Sequence, residues 1–320
     1  MNKLALWAGV AIASVLGASV ASAQEMLKVA AGQRGNWDTS VSEIGKRAGI
    51  FKKYGLDLEI LYTQGSGETQ QAVISGAVDV GIAIGTIGAM AAYSKGAPIR
   101  ILGSEITGAQ DLFWYVRGDS PIKNIKDTEG RTISYSTNGA STHGVVNAFI
   151  SELGAKAKPV ATGSPPSSLT QVMSGQVDIG WAAPPFGVEQ MDRKEIRFLA
   201  SGNDTSFKDQ TVRIIGTNIN VLNTKRDQLS RYMQAYRDTV DYMYTNEESL
   251  KVFADWLGIS VDLARRSRDG FFPRSALEPD KINGVDKVMK EAINFKFLSA
   301  PLSEEQLKDL IQIPAPLPKR

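Results

Sequence analysis

Two nine-residue segments constrain this chain more than any other feature. Ser75 to Ala83 reads SGAVDVGIA and Ser174 to Ala182 reads SGQVDIGWA, an offset of 99 residues. Six of the nine positions are identical and a seventh, Val80 against Ile179, is conservative. Each segment follows a short helix-like stretch, Thr69 to Ile74 and Leu169 to Met173, and runs on into an apolar, β-branched strand. The offset exceeds the roughly 20–50 residues of solenoids and propellers. It predicts two α/β domains of similar construction, each with helix, Gly turn and buried strand in the same order, and a length of 320 residues suits two domains.

Hydrophobic periodicity extends the pattern. Strands are expected at Leu27–Ala31, Asp57–Tyr62, Val78–Ile84, Ile99–Ile106 and Leu112–Val116, with helices at Val41–Tyr54 and Ile87–Lys95. The second block gives strands Thr132–Ser136, Lys158–Ala161, Val177–Ala182 and Ile196–Ala200, and helices Thr142–Leu153 and Ser168–Met173. Such alternation predicts mostly parallel sheets covered by helices on both faces. Val212–Val221 reads as one more strand. Beyond Lys225 only helices are expected: Gln228–Tyr244, Glu248–Leu257, Val261–Ser267, Asp280–Asn294 and Glu304–Ile311, then a frayed Pro-rich end.

Composition narrows the chemistry. A formal net charge of +2, from 36 basic and 34 acidic residues, disfavours nucleic-acid binding. With one His and no Cys there is no route to a zinc finger, iron–sulfur cluster, disulfide framework or cysteine nucleophile. No G-x-S-x-G elbow accompanies His143. Asp79 and Asp178 occupy equivalent positions of the repeat, which favours a shared structural role over paired catalytic carboxylates. Neither an enzyme nor a cofactor or metal is therefore expected. Residues 1–23 combine Lys3, an apolar run Leu4–Val20 and the small-x-small site Ala21-Ser22-Ala23. That predicts a secretory signal peptide cleaved after Ala23, a periplasmic location and, with no Cys, no lipid anchor.

In open α/β sheets ligands bind beyond the carboxyl ends of strands, where helix N-termini present free N–H groups. The loops there carry Gln33, Arg34 and Trp37; Gly65 and Ser66; Thr86; Asn138, Ser141, Thr142 and His143; and Trp181 and Pro184. Their hydroxyls and amides suit a hydrogen-bonding cradle for a small polar or anionic group, with Trp37 and Trp181 as apolar walls. Each also has an ordinary reading. Gly65-Ser66-Gly67 can be a plain turn, Ser141 a helix cap, the two Trp core residues, His143 a packing residue and Arg34 a solvated cation.

GKRAGIFKKYG at Gly45–Gly55 followed by Leu56-Asp57-Leu58-Glu59 resembles a signature of ABC-transporter periplasmic binding proteins. The branch is that for aliphatic sulfonates, taurine and nitrate, with the related thiamine-pyrimidine-precursor binders. SGAVDVGIA, Gly96-Ala97-Pro98-Ile99, Ser120-Pro121-Ile122-Lys123 with Asp127 and Gly130, and Gly139-Ala140-Ser141-Thr142-His143 continue the likeness over Leu27–Leu222. The resemblance implies a type II periplasmic binding fold: two doubly wound α/β lobes, two hinge crossings near Ile106–Gln110 and Thr211–Thr217, and a ligand clamped between the lobes. Lobe 1 would take 24–106 and 215–320, and lobe 2 would take 107–214. It implies a monomer that delivers a small-molecule ligand to an inner-membrane permease with a cytoplasmic ATPase. The family's ligand positions fall on Gln33, Gly65, Ser66, Thr86, Ser141, Thr142 and His143. Ala140, and Ala183-Pro184-Pro185, stand where sulfonate binders carry a hydroxyl and an aromatic-Asp-Pro segment. Those departures favour an organic anion or heterocycle with an apolar or aromatic part over taurine or sulfonate. A ligand sensor for a receptor kinase and a pyrimidine-precursor enzyme on the same fold are the alternatives.

Overall fold

A computed structural model describes residues 24–318; the expected signal peptide lies outside them. Ten strands build two five-stranded sheets. The first contains β1 (Glu25–Gly32), β2 (Leu56–Thr63), β3 (Val80–Gly85), β4 (Ile99–Thr107) and β10 (Thr211–Asn218), in the order β2-β1-β3-β10-β4. The second contains β5 (Phe113–Arg117), β6 (Thr132–Tyr135), β7 (Lys158–Ala161), β8 (Ile179–Ala182) and β9 (Ile196–Ser201), in the order β7-β6-β8-β5-β9. The chain passes between sheets at 108–112 and returns at 202–210. The return is complete before the Thr211–Thr217 stretch, all of which belongs to β10.

Mostly parallel sheets were expected, but each is half antiparallel. β10 runs antiparallel to β3 and β4, and β5 antiparallel to β8 and β9. The cause is the crossings: β5 and β10 each enter their sheet from the other one, and so run against the strands built by local helix crossovers. Central strands read as continuous apolar runs because both faces are covered. β3 (VGIAIG) is buried throughout, whereas the edge strand β2 (LDLEILYT) alternates.

The repeat resolves into a shared joint. Asp79 Oδ2 accepts from the backbone N–H of Lys28 at 2.9 Å, and Asp178 Oδ2 from that of Thr132, also at 2.9 Å. Each aspartate thus ties the turn ahead of its strand to the neighbouring parallel strand of the same sheet. Asp79 is completed by Lys225 Nζ at 2.8 Å and Asp178 by Arg131 Nη1 at 3.2 Å.

Several local expectations change. The helix expected at Val41–Tyr54 is broken into Val41–Arg47 and Ile50–Lys53, because Gly49 sits at φ +71°. The strand at 212–221 ends at Asn218, whose side chain caps a helix Ile219–Thr224. The helix expected from Asp280 starts only at Val285, after Gly284 at φ +66°. The Pro-rich end is tied down: Gln312 N–H donates to Ile101 O at 2.8 Å and Arg237 Nη2 to Pro314 O at 2.6 Å. Among the described residues no helix is long and apolar enough to cross a membrane.

The two halves touch where helix Thr86–Ser94 meets the loop before helix Ser141–Glu152. A Cβ on Gly88 would stand 2.7 Å from Gly139 O, closer than real contacts allow. Alanine is about 1 kcal/mol better than glycine within a helix, so Gly88→Ala should leave each half folded while forcing them apart. The expected outcome is an unchanged circular dichroism spectrum and a larger radius of gyration by small-angle X-ray scattering.

Candidate functional site

Three helix N-termini converge between the sheets, each bearing a hydroxyl that the sequence had singled out. Ser66 begins helix Ser66–Ile74, and its Oγ accepts from Gly85 N–H at 2.6 Å. Thr86 begins helix Thr86–Ser94 and donates to Thr211 O at 2.7 Å. Thr142, second in helix Ser141–Glu152, accepts from Ser136 N–H at 2.9 Å and bonds Ser136 Oγ at 2.8 Å. These hydroxyls are therefore engaged in fastening loops to helices. Ser141 is the first helical residue, with Ala140 at the cap position.

Gln33, Ser66, Ser141, Thr142 and Trp181 do share one recess. Its volume is about 20 Å³, room for about one water molecule. The halves are closed over it, with Gly67 N–H donating to Thr137 Oγ1 at 3.0 Å. Two of its lining residues, Gln33 and Ala83, hold positive φ angles of 84° and 63°. Such backbone is sparse for residues with side chains and collects at functional sites. Thr86 faces a neighbouring recess of about 10 Å³.

The charged residue lining the main recess, Arg213, was not foreseen. It is the one cation of the fully buried β10, and three buried carboxylates surround it. Nη2 donates to Asp38 Oδ2 and to Asp111 Oδ2, each at 2.7 Å, and Nε to Glu105 Oε2 at 2.9 Å. Nη1 reaches Ser141 Oγ at 3.4 Å. Asp38 comes from the turn after β1, Glu105 from β4 and Asp111 from the first crossing. Burial, then repulsion from Asp38, pushes the Glu105 carboxyl well above its usual range, against the pull of Arg213. Burial raises Asp111 to about 6, although Arg213 opposes it. For Arg213 itself burial would lower the value, but Asp111, Asp38 and Glu105 raise it well above normal. Asp38 Oδ1 and Glu105 Oε1 are buried without a partner donor, which a proton on Glu105 shared with Asp38 resolves.

A second, far larger cavity of about 510 Å³ opens beside the recess. Leu257, Ile259 and Leu263 form one wall, while Leu169, Pro185 and Phe186, from the second sheet's side, form the other. Arg34 lines it. Its Nη2 donates to Trp256 O at 3.0 Å and its guanidinium lies 5.0 Å from the Trp256 ring centroid. No carboxylate among the described residues makes an ion pair with Arg34. Gly35, at φ +107°, lets Phe186 and Leu257 pack down: a Cβ there would lie 3.0 Å from Phe186.

The other expected residues stand elsewhere. Trp37 is wholly buried, edge-on to Phe253 at 5.0 Å and to Tyr244 at 6.2 Å, and lines neither cavity. Asn138 is exposed and accepts from Tyr135 Oη at 2.7 Å. His143 stacks on Tyr135 at 4.2 Å and its Nδ1 accepts from Gly139 N–H at 3.3 Å; burial lowers its pKa. Gly65 packs against Thr137, and Pro184 is buried behind Pro185. Among the described residues no His, Cys, Asp or Glu cluster could hold a metal ion.

The model of the family described as NMT1/THI5 like matches residues 43–249. This chain belongs to that family. Comparison with solved structures adds the fold. The alkanesulfonate-binding protein SsuA from Xanthomonas axonopodis pv. citri, bound to MOPS, is 15% identical with a TM-score of 0.74, covering 90% of this chain and 98% of its own. The periplasmic aliphatic sulphonate binding protein SsuA from Escherichia coli gives 17% and 0.70, over 92% of this chain and 94% of its own. The periplasmic nitrate-binding protein NrtA from Synechocystis PCC 6803 gives 14% and 0.69, over 90% and 86%. No curated protein matches the chain. The fold of this family member is thus that of periplasmic binding proteins, as the sequence resemblance implied.

Removing the cation from the buried cluster should be costly. Arg213→Met leaves three carboxyls without their partner, a loss of about 3–5 kcal/mol by analogy with other broken buried pairs. Without Arg213 the raised pKa values of Glu105 and Asp111 climb further, so the folded form binds more protons than the unfolded one at neutral pH. The loss should therefore be larger at pH 7 than at pH 5, as read by urea denaturation at both pH values.

Proposed function

We propose that this chain is the solute-binding component of an ABC importer, working as a monomer in the periplasm after cleavage behind Ala23. Its ligand is a small organic anion or heterocycle with an apolar or aromatic part. One lobe is built on the first sheet, with β1–β4, β10 and the helices that follow it. The other is built on the second sheet, with the crossings at 108–112 and 202–210 between them. The observation that carries this reading is the cavity of about 510 Å³ between the two sheets, walled mostly by Leu, Ile, Pro and Phe. Arg34 makes no ion pair there among the described residues, and the lining carboxylate Glu189 is paired with Arg193 at 3.9 Å. A planar apolar body fits such walls, and one unneutralised guanidinium suits one anionic group. Arg213, the other cation at the cleft, is already matched by three carboxylates.

Both walls of the cavity come from different lobes, so a ligand there makes contacts that exist together only in the closed form. Binding then shifts the population toward closure by the difference in affinity between the two forms. The closed shape is what a permease would read.

Thermal-shift screening of the purified protein tests the reading. Aromatic carboxylates or sulfonates should raise the melting temperature, and Arg34→Gln should abolish the rise measured against that variant's own unliganded melting temperature. Stabilisation by taurine or nitrate, with no response to aromatic anions, would overturn it. The hydroxyl pair gives a second check. Thr142→Ala removes the acceptor for Ser136 N–H and should lower stability by about 1–3 kcal/mol in chemical denaturation.

A further inference from the structure

The Arg213 cluster sits where a hinge would turn. Glu105 lies near the end of β4, Asp111 within the first crossing, and Arg213 just beyond the second crossing, in β10. Ser141, held by Arg213 Nη1 at 3.4 Å, is the contact from the opposite lobe. All four charged side chains are at most 7% exposed. Arg213 also lines the recess between the lobes.

We propose that this cluster couples closure of the lobes to proton uptake, holding the cleft shut when protonated and releasing it when ionised. The proposal rests on the reading of two lobes that close. Rotation about 108–112 and 202–210 carries Asp111 with the crossing and draws Ser141 away from Arg213. Water then enters through the recess and lowers the cost of carboxylate charge. Closed, the cluster holds the Glu105 carboxyl well above its usual range and Asp111 at about 6; open, both return toward ordinary carboxyl values. The closed form therefore binds more protons, and rising pH drives opening.

The groups facing the cluster are few. Tyr232, Tyr236 and Tyr244 of helix Arg226–Thr245 have phenols pushed up by burial, so they stay neutral. Arg268 lies over the Trp37 ring at 6.0 Å. Two titratable groups near the lobe junction point elsewhere. His143 packs on Tyr135, and Glu291 binds Gln210 Nε2 at 2.6 Å on the second crossing.

The absence of native Cys permits a direct test with the full chain. Dyes on Glu59→Cys, at the edge of the first sheet, and Lys158→Cys, at the edge of the second, report lobe separation by single-molecule energy transfer. Without ligand, the separation in the parent should lengthen by several ångström between about pH 5 and pH 8.5. Glu105→Gln and, separately, Asp111→Asn, which mimic protonated carboxyls, should weaken or abolish that shift. His143→Gln and Glu291→Gln should retain it. A separation independent of pH in the parent, an undiminished shift in both Glu105→Gln and Asp111→Asn, or loss of the shift in His143→Gln or Glu291→Gln overturns the proposal. Adding Gly88→Ala to the labelled chain separates the two failures. If that change lengthens the distance while pH does not, the lobes move and only the coupling is wrong. If neither does, the closing motion itself is refuted, and the coupling with it.

Discussion

The architecture turns on one guanidinium enclosed by three carboxyls. Arg213 draws together the turn after β1, the end of β4, the first crossing and β10, the segments whose relative placement decides how the two sheets meet. Burying such a group is expensive: each ion loses several kcal/mol of hydration that Coulomb attraction recovers only with good geometry. Here the geometry is good, at 2.7–2.9 Å to each carboxylate. Three acids still outnumber one base. The surplus is relieved by protonation, which burial favours at Glu105. An apolar cluster would hold the same strands together at lower cost. The choice of ions at this junction is thus better explained by what a polar joint allows, namely hydration when the cleft opens, than by stability.

The repeat illustrates how much a sequence can show. The equivalence of Asp79 and Asp178 pointed to a structural joint, and each does accept a backbone N–H from the adjacent parallel strand at 2.9 Å. Such joints are legible because the partner is close in the fold's plan and the motif occurs twice. Arg213 is the opposite case. In TVRIIGTN it reads as the one charged residue of its strand, and its acids lie 175, 108 and 102 residues away. Nothing local names its partners; a single charge in an otherwise uncharged and wholly buried strand is the signal that could have raised it.

Strand direction was misjudged for a related reason. Alternating β and α segments imply parallel neighbours only while each strand returns to its own sheet. β5 and β10 do not, and no local pattern distinguishes a strand that has changed sheets. The helix ends were misjudged by a few residues where glycine conformation decided them, at Gly49 and Gly284.

The loops beyond the strands were expected to form one cradle, yet consecutive residues serve two cavities. On β8, Trp181 faces the polar recess and Ala182 the apolar cavity, the alternation that any strand imposes. Past β1, Gln33 faces the recess and Arg34 the cavity, with the positive φ of Gln33 redirecting the chain between them. Of the hydroxyls that looked like ligand donors, Ser66, Thr86 and Thr142 are spent on the protein's own backbone and Ser141 faces Arg213. The wide cavity draws its walls from segments with no motif: helix Pro165–Met173, the Pro185–Phe186 turn and the stretch Leu257–Leu263. Division of labour follows. The motif-bearing loops fasten the recess where the halves meet, while the wide cavity is lined by segments that carry no motif and share mainly an apolar surface.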